Sequence, residues 1–193
     1  MSVELEPSDS TIKLKVVSYA PCKNESHWGS SCNCEKEVLE TREDYRTNLC
    51  TAGWAGFVQA NILNTAANPN IKDTGGTSRS LSANTAVSAL TLIAGTGTAA
   101  ASVADNALTT ATAGASGNTT SLTISTATET GTSGSFTIVG TITNTSGGNI
   151  NYAEVGLTIT AATFVFLITH DVFTALTVSN NGTLQVTYTM TNS

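Results

Sequence analysis

Thr183–Thr191 reads TLQVTYTMT, with Leu184, Val186, Tyr188 and Met190 on one parity and Gln185, Thr187 and Thr189 on the other. A period of two over that length predicts a strand with one face in a core and the other face outside it. The same pattern recurs upstream. In Ser121–Thr128 (SLTISTAT), Leu122 and Ile124 alternate with polar residues. Phe136, Ile138 and Ile142 share a parity within Ser135–Thr145, and Val155, Leu157 and Ile159 do so within Asn151–Thr160. Thr163–Phe173 is apolar on both parities, as expected of a central strand buried on both faces. Ser146-Gly147-Gly148-Asn149 and Asn180-Asn181-Gly182 supply residues that tolerate φ > 0 where antiparallel strands must turn. Five strands without helical crossovers predict a mainly β fold, an antiparallel β-sandwich of jelly-roll-like form.

Towards the N-terminus the pattern changes. Residues 80–118 are rich in Ala, Thr, Gly and Ser, with a strand expected near 88–94 and a loop after it, GTGTAAASVADNAL. Between about Thr51 and Asn64, Trp54, Phe57, Val58 and Ile62 fall three or four residues apart, which predicts one short helix with those side chains in the core. The polar run NPNIKDTGGTSRS closes that region. Glu35–Cys50 has the composition of a weak helix, and Thr11–Tyr19 (TIKLKVVSY) alternates as a short strand. The expected division is an N-terminal extension over 1–49, made of an acidic arm and a cysteine-rich loop, followed by a helix and β-sandwich over 50–193.

Charge is the strongest compositional signal. Residues 1–46 hold 15 of the 22 charged side chains, and from Ser80 onward there is no Lys or Arg. The acids in those last 114 residues are Asp105, Glu129, Glu154 and Asp171. Charged residues are 11% of the chain against about a quarter in an ordinary soluble domain, so its long uncharged surfaces suit packing against other protein. Nucleic acid as a partner is excluded, because phosphate neutralisation requires a Lys/Arg cluster and none exists. No apolar run is long enough for a membrane-spanning helix, and the polar, acidic start from Met1 to Asp9 lacks the pattern of a secretory signal. Synthesis in a cytoplasm is the expectation.

Candidate chemistry is sparse. Cys22, Cys32, Cys34 and Cys50 lie within 29 residues, with His27 among them. Their C-x9-C-x-C-x15-C spacing lacks the paired knuckles of a zinc site, which favours two disulfides joining Cys32 and Cys34 to Cys22 and Cys50. Closing such loops would contribute roughly 2–4 kcal/mol each. Zinc ligation and free thiols are the other states weighed. His170-Asp171 has no nucleophile elbow nearby, and His170 is expected on a solvent-facing loop. Glu154 and Asp171 are the one carboxylate pair to weigh for glycoside cleavage, a pairing that two acids at strand ends also produce by chance. Gly95-Thr96-Gly97 lacks the third glycine and the lysine of nucleotide loops, and reads as a flexible turn. Asn24, Asn118, Asn144 and Asn181 open N-x-S/T triplets, a product of the Thr-rich composition. No catalytic, cofactor-binding or metal residue is assigned, and no enzyme activity is expected.

The order of segments is itself informative. AGTGTAAASVADNALTTATA (Ala94–Ala113), FTIVGTITNTSGGNINYAEVGL (Phe136–Leu157), FVFLITHDVF (Phe164–Phe173) and LTVSNNGTLQVTYTMT (Leu176–Thr191) follow one another, after CTAGWAGFVQANIL (Cys50–Leu63). This order resembles small virion proteins of tailed bacteriophages and related prokaryotic viruses, over about residues 50–193. The resemblance implies a structural place in a virus particle assembled in a bacterial cytoplasm. A capsid decoration or cement protein on the major capsid protein is the leading expectation, as a homo-oligomer with a trimer best suited to a clamp. A tail, fibre or receptor-binding component is the alternative.

Overall fold

A computed structural model of the protein describes residues 11–20, 38–44, 51–61, 70–80, 87–113, 116–117, 121–130 and 133–192. The chain is mainly β and its sheets are antiparallel. Its elements run β1 (Thr11–Tyr19), β2 (Val38–Asp44), α1 (Ala52–Asn61), β3 (Asn70–Lys72), β4 (Ser78–Ser80), β5 (Val87–Gly95), β6 (Ser121–Ile124), β7 (Thr128–Thr130), β8 (Ser133–Thr143), β9 (Ile150–Ala161), β10 (Phe164–Leu167), β11 (Asp171–Val178) and β12 (Thr183–Asn192).

The larger sheet has the order β2-β1-β12-β8-β6, with β7 also on β8. It takes strands from both sides of residue 50, since β1 pairs with β12 along its whole length. Val38–Asp44, in a segment with the composition of a helix, is an edge strand of this sheet. Pairing of Leu14–Tyr19 with it overrides the weak helical tendency of a mixed-charge segment. The alternation expected for β8 and β12 is present. Ile138, Ile142, Leu184, Val186 and Tyr188 are buried, while their odd-numbered neighbours Thr137, Thr141, Thr187 and Thr189 are half-exposed.

In the second sheet β9 is central. β5 lies on one side, and β10 and β11 follow end to end on the other. The inner faces of the two sheets share one apolar core. At its middle, Gly140 of β8 leaves room for Leu92 of β5, since a Cβ on Gly140 would stand 2.6 Å from the leucine Cδ2. Two sequence expectations are corrected here. The strand buried on both faces is β9, whose residues 152–159 are all buried, and not Thr163–Phe173. The latter breaks at residues 168–170, where four steps from Leu167 to Asp171 oppose three steps from Thr158 to Val155, a bulge. The Thr169 hydroxyl accepts from the Leu157 N–H at 2.9 Å in the break.

Among the described residues, what covers the outer face of β9 is a third layer made of α1, the β3–β4 hairpin and the loop 96–113. α1 docks through small residues: a Cβ on Gly53 would meet the Leu167 carbonyl oxygen at 2.3 Å, and one on Gly56 would meet Ile71 at 2.3 Å. Trp54, expected in the core, is 37% exposed, because the glycine side of the helix faces inward. Phe57's side chain and Ile62 lie outside the described residues. The run expected only to close the helical region forms β3 and β4. In its turn Asp73 accepts from the Gly75 and Thr77 N–H groups and from Arg79 Nε at 2.7 Å. The Arg79 guanidinium, then the Thr77 N–H, hold the Asp73 carboxyl below its ordinary range. Arg79 also lies 4.0 Å above the Phe164 ring of β10, which fixes the hairpin to the sheet.

At one end of the body the β8–β9 and β11–β12 turns meet. Gly147 and Asn181 there have φ of 86° and 62°, in the turns expected from sequence. Asn144 joins them: its Nδ2 donates to Gly148 O and Val178 O, and its Oδ1 accepts from Ser146. That buried amide is fully used, so its N-x-S triplet is a structural staple.

Candidate functional site

Cys22, Cys32, Cys34, Cys50 and His27 lie outside the described residues, as do Asn24 and Asn118. Among the described residues, the densest polar cluster is one that the sequence distributed over three segments. Asp105 comes from the loop 96–113, Glu154 from β9 and His170 from the break between β10 and β11.

Each has a reason to be where it is. Glu154 is on the outer face of β9, opposite Gly95 of β5. His170 is turned out of the ladder by the bulge that follows Leu167. Asp105 sits in a tight turn in which its Oδ2 accepts from the Ser102 N–H at 2.7 Å. His170 Nδ1 is 2.7 Å from Asp105 Oδ2, and Nε2 is 3.0 Å from Glu154 Oε2. Each ring nitrogen therefore faces a carboxyl oxygen at hydrogen-bonding distance, and the imidazole bridges the two acids.

Glu154 is 0% exposed and His170 1%. The placement of His170 on a solvent-facing loop is therefore corrected: the third layer closes over it. The burial of Glu154 is tolerable because donors surround it. Its Oε1 accepts from the Gly97 N–H at 3.0 Å and the Thr110 N–H at 2.6 Å, and its Oε2 from the Thr109 N–H at 2.8 Å. Such a set of converging backbone N–H groups is an anion nest. Gly95-Thr96-Gly97, expected as a flexible turn, is part of it. A Cβ on either glycine would lie 2.5 Å from Glu154 Oε1, so only glycine lets the backbone approach. The loop does cradle an anion, and the anion is the chain's own carboxylate.

Glu154 and Asp171 are not a pair. Asp171 stands opposite Val155, so the two acids point to opposite faces of the sheet. Asp171 Oδ2 accepts from the Tyr188 hydroxyl at 3.1 Å. Burial, and then the Asp171 charge, push that phenol well above its ordinary value. On the outer face of β9, Tyr152 donates to the Ser116 carbonyl, and burial pushes it up to about 12.

Next to the cluster is a concave groove of about 410 Å3, lined by Thr91, Thr158 and Thr160 from the sheet and by Leu108, Ala111 and Thr112 from the loop, among others. No lining residue is charged. Among the described residues the Thr112 hydroxyl is buried without a hydrogen-bond partner.

Chemically the cluster is closed. Both imidazole nitrogens face carboxylates, and no hydroxyl or thiol nucleophile is hydrogen-bonded to His170 among the described residues. No grouping of three metal-ligating side chains with suitable geometry occurs among them, and none of their helices is long and apolar enough to cross a membrane. What the arrangement does is fasten the loop to the sheet. Asp105 was not singled out by sequence, although a signal existed: in a stretch with four acids, each retained charge is informative. Three of the four, Asp105, Glu154 and Asp171, make specific buried or half-buried bonds.

No family model, curated protein or solved structure matches the chain.

Proposed function

We propose that this protein is a non-enzymatic structural component of a virus particle, and specifically a capsid decoration or cement protein. The observation that carries the reading is the absence of charge from the outward positions of two adjoining strands, β8 and β12, of the larger sheet. The outward positions of β8 and β12 are Ser, Thr, Val and Gln throughout, in a chain whose last 114 residues lack Lys and Arg. Surfaces of that kind are suited to burial against protein. Supporting it, VADNAL, AEVGL and THDVF, three of the pieces that carry the resemblance to virion proteins, contribute Asp105, Glu154 and His170 to one closed cluster. The cluster fastens a loop and offers no free base. The partner would be the major capsid protein, and the site of action the virion.

The uncharged, threonine-lined groove favours a second reading, a tail, fibre or receptor-binding component that takes a neutral ligand. Gold-labelled antibody on intact particles separates the two. Label spread over the head supports decoration, label confined to the tail supports the second reading, and unlabelled particles overturn both.

A further inference from the structure

One turn of the loop 96–113 ties the parts of the third layer together. The Val103 carbonyl accepts from the Ala52 N–H at 2.7 Å, which seats the start of α1. Asn106 Nδ2 donates to the Asp73 backbone carbonyl at 3.0 Å, which adds the β3–β4 hairpin. Between those two residues, Asp105 closes the turn by accepting from the Ser102 N–H and joins it to the sheet through His170.

We propose that Asp105, His170 and Glu154 form a proton-operated clasp, which holds this turn while the three groups share two protons and releases it when one is lost. An ionised carboxylate only accepts, and a neutral imidazole has one N–H. For both contacts to be hydrogen bonds a proton must lie in each, whichever atoms carry it, so the titration belongs to the trio as a whole. With one proton gone, one contact sets a ring lone pair against a carboxylate. The two acids differ in their freedom to leave. Glu154 is 0% exposed and accepts from the Gly97, Thr109 and Thr110 N–H groups, so moving it would orphan three donors. The Asp105 side chain is 28% exposed and can turn to water. The remaining proton therefore stays between Nε2 and Glu154, and Asp105 parts from Nδ1. Release follows a rise in pH.

The other charged groups of the neighbouring elements are placed elsewhere. Asp171, next to His170, points to the opposite face and binds Tyr188. In the hairpin Asp73 is bound to Arg79, and Lys72 is exposed. Neither α1 nor β5 has a charged residue. The clasp is a property of the isolated chain and stands apart from the virion assignment.

The test is magnetic resonance of the full chain across about pH 5 to 9, the span in which histidines titrate. The His170 ring signal is separated from that of the second histidine with a His27→Gln variant. As the trio loses a proton, hydrogen-exchange protection at the Ser102 and Ala52 amides, corrected for intrinsic rates, should fall at least about tenfold, in step with the ring signal. Amides in the middle of β12 should keep theirs. Asp105→Asn has no charge to part from the lone pair and should remove the step, whatever it does to the level of protection. A purely structural role would shift the level alone. Melting temperatures report whether the variants fold, and His170→Gln, which has no ring to titrate, serves if Asp105→Asn does not. A His170 ring that holds one state across the range overturns the proposal, as does titration without loss of protection, or a step that persists in either variant.

Discussion

β12 and β9 are both strands of about ten residues inside the same body, yet their sequences differ in how plainly they declare it. β12 has one face on the core and one half-exposed, and its side chains alternate accordingly. β9 is covered on both faces: by the larger sheet on one side, and on the other by a loop held through Glu154, His170 and Asp105. The difference teaches that periodicity records local burial. When a distant segment of chain supplies the second cover, a polar side chain such as Glu154 or Thr158 is buried by its hydrogen bonds, and the alternating pattern misleads.

Removing the fastening should produce the largest effect. Glu154→Ala leaves three backbone N–H groups and His170 without their acceptor in a buried place, and a loss of about 3–5 kcal/mol is expected. Chemical denaturation measures it. A loss under 1 kcal/mol would mean that the loop does not need the carboxylate, and the contrast with β12 would fail.

Alkaline pH probes the same contrast through one tyrosine on each sheet, Tyr152 on β9 and Tyr188 on β12. Both phenols are raised in the folded state, Tyr152 to about 12 against an ordinary 10. Between those values the unfolded chain loses protons that the folded chain keeps. Stability is therefore insensitive to these groups below pH 10 and falls as pH rises towards 12. Tyr152→Phe should flatten that decline, and an unchanged slope in denaturant titrations between those pH values would contradict the role given to burial.

A gain is expected at the β9–β10 hairpin, whose Ala162 and Thr163 have φ of 49° and 74°. Two successive positive φ values belong to Asn-Gly, and a threonine there is strained. The double change Ala162→Asn with Thr163→Gly should stabilise by about 1–2 kcal/mol, read as a rise in melting temperature. The smallest effect belongs to the open face. Thr187→Ala should change monomer stability by no more than about 0.5 kcal/mol, and a larger loss would show that this face is covered as β9 is.

Much of the fold was legible for these same physical reasons. β8 and β12 announced themselves through a half-open sheet, and the turns at Gly147 and Asn181 through residues able to take φ > 0. Harder to read were features that depend on partners far along the chain. β2 is a strand because β1 lies beside it, α1 packs through Gly53 and Gly56 rather than Trp54, and the break at His170 exists because Thr169 enters the ladder. The cluster was invisible as a cluster. Its members are 16 residues apart at the closest and 65 at the furthest, with the loop's path needed to unite them.

Hydrogen exchange at the backbone amides of Gly97, Thr109 and Thr110 tests the account most directly. All three are in a loop and donate to Glu154. If the loop is the fixed outer cover of β9, these amides exchange as slowly as those in the middle of β9 and β12, through global unfolding. Exchange at the rate of an exposed loop would contradict it.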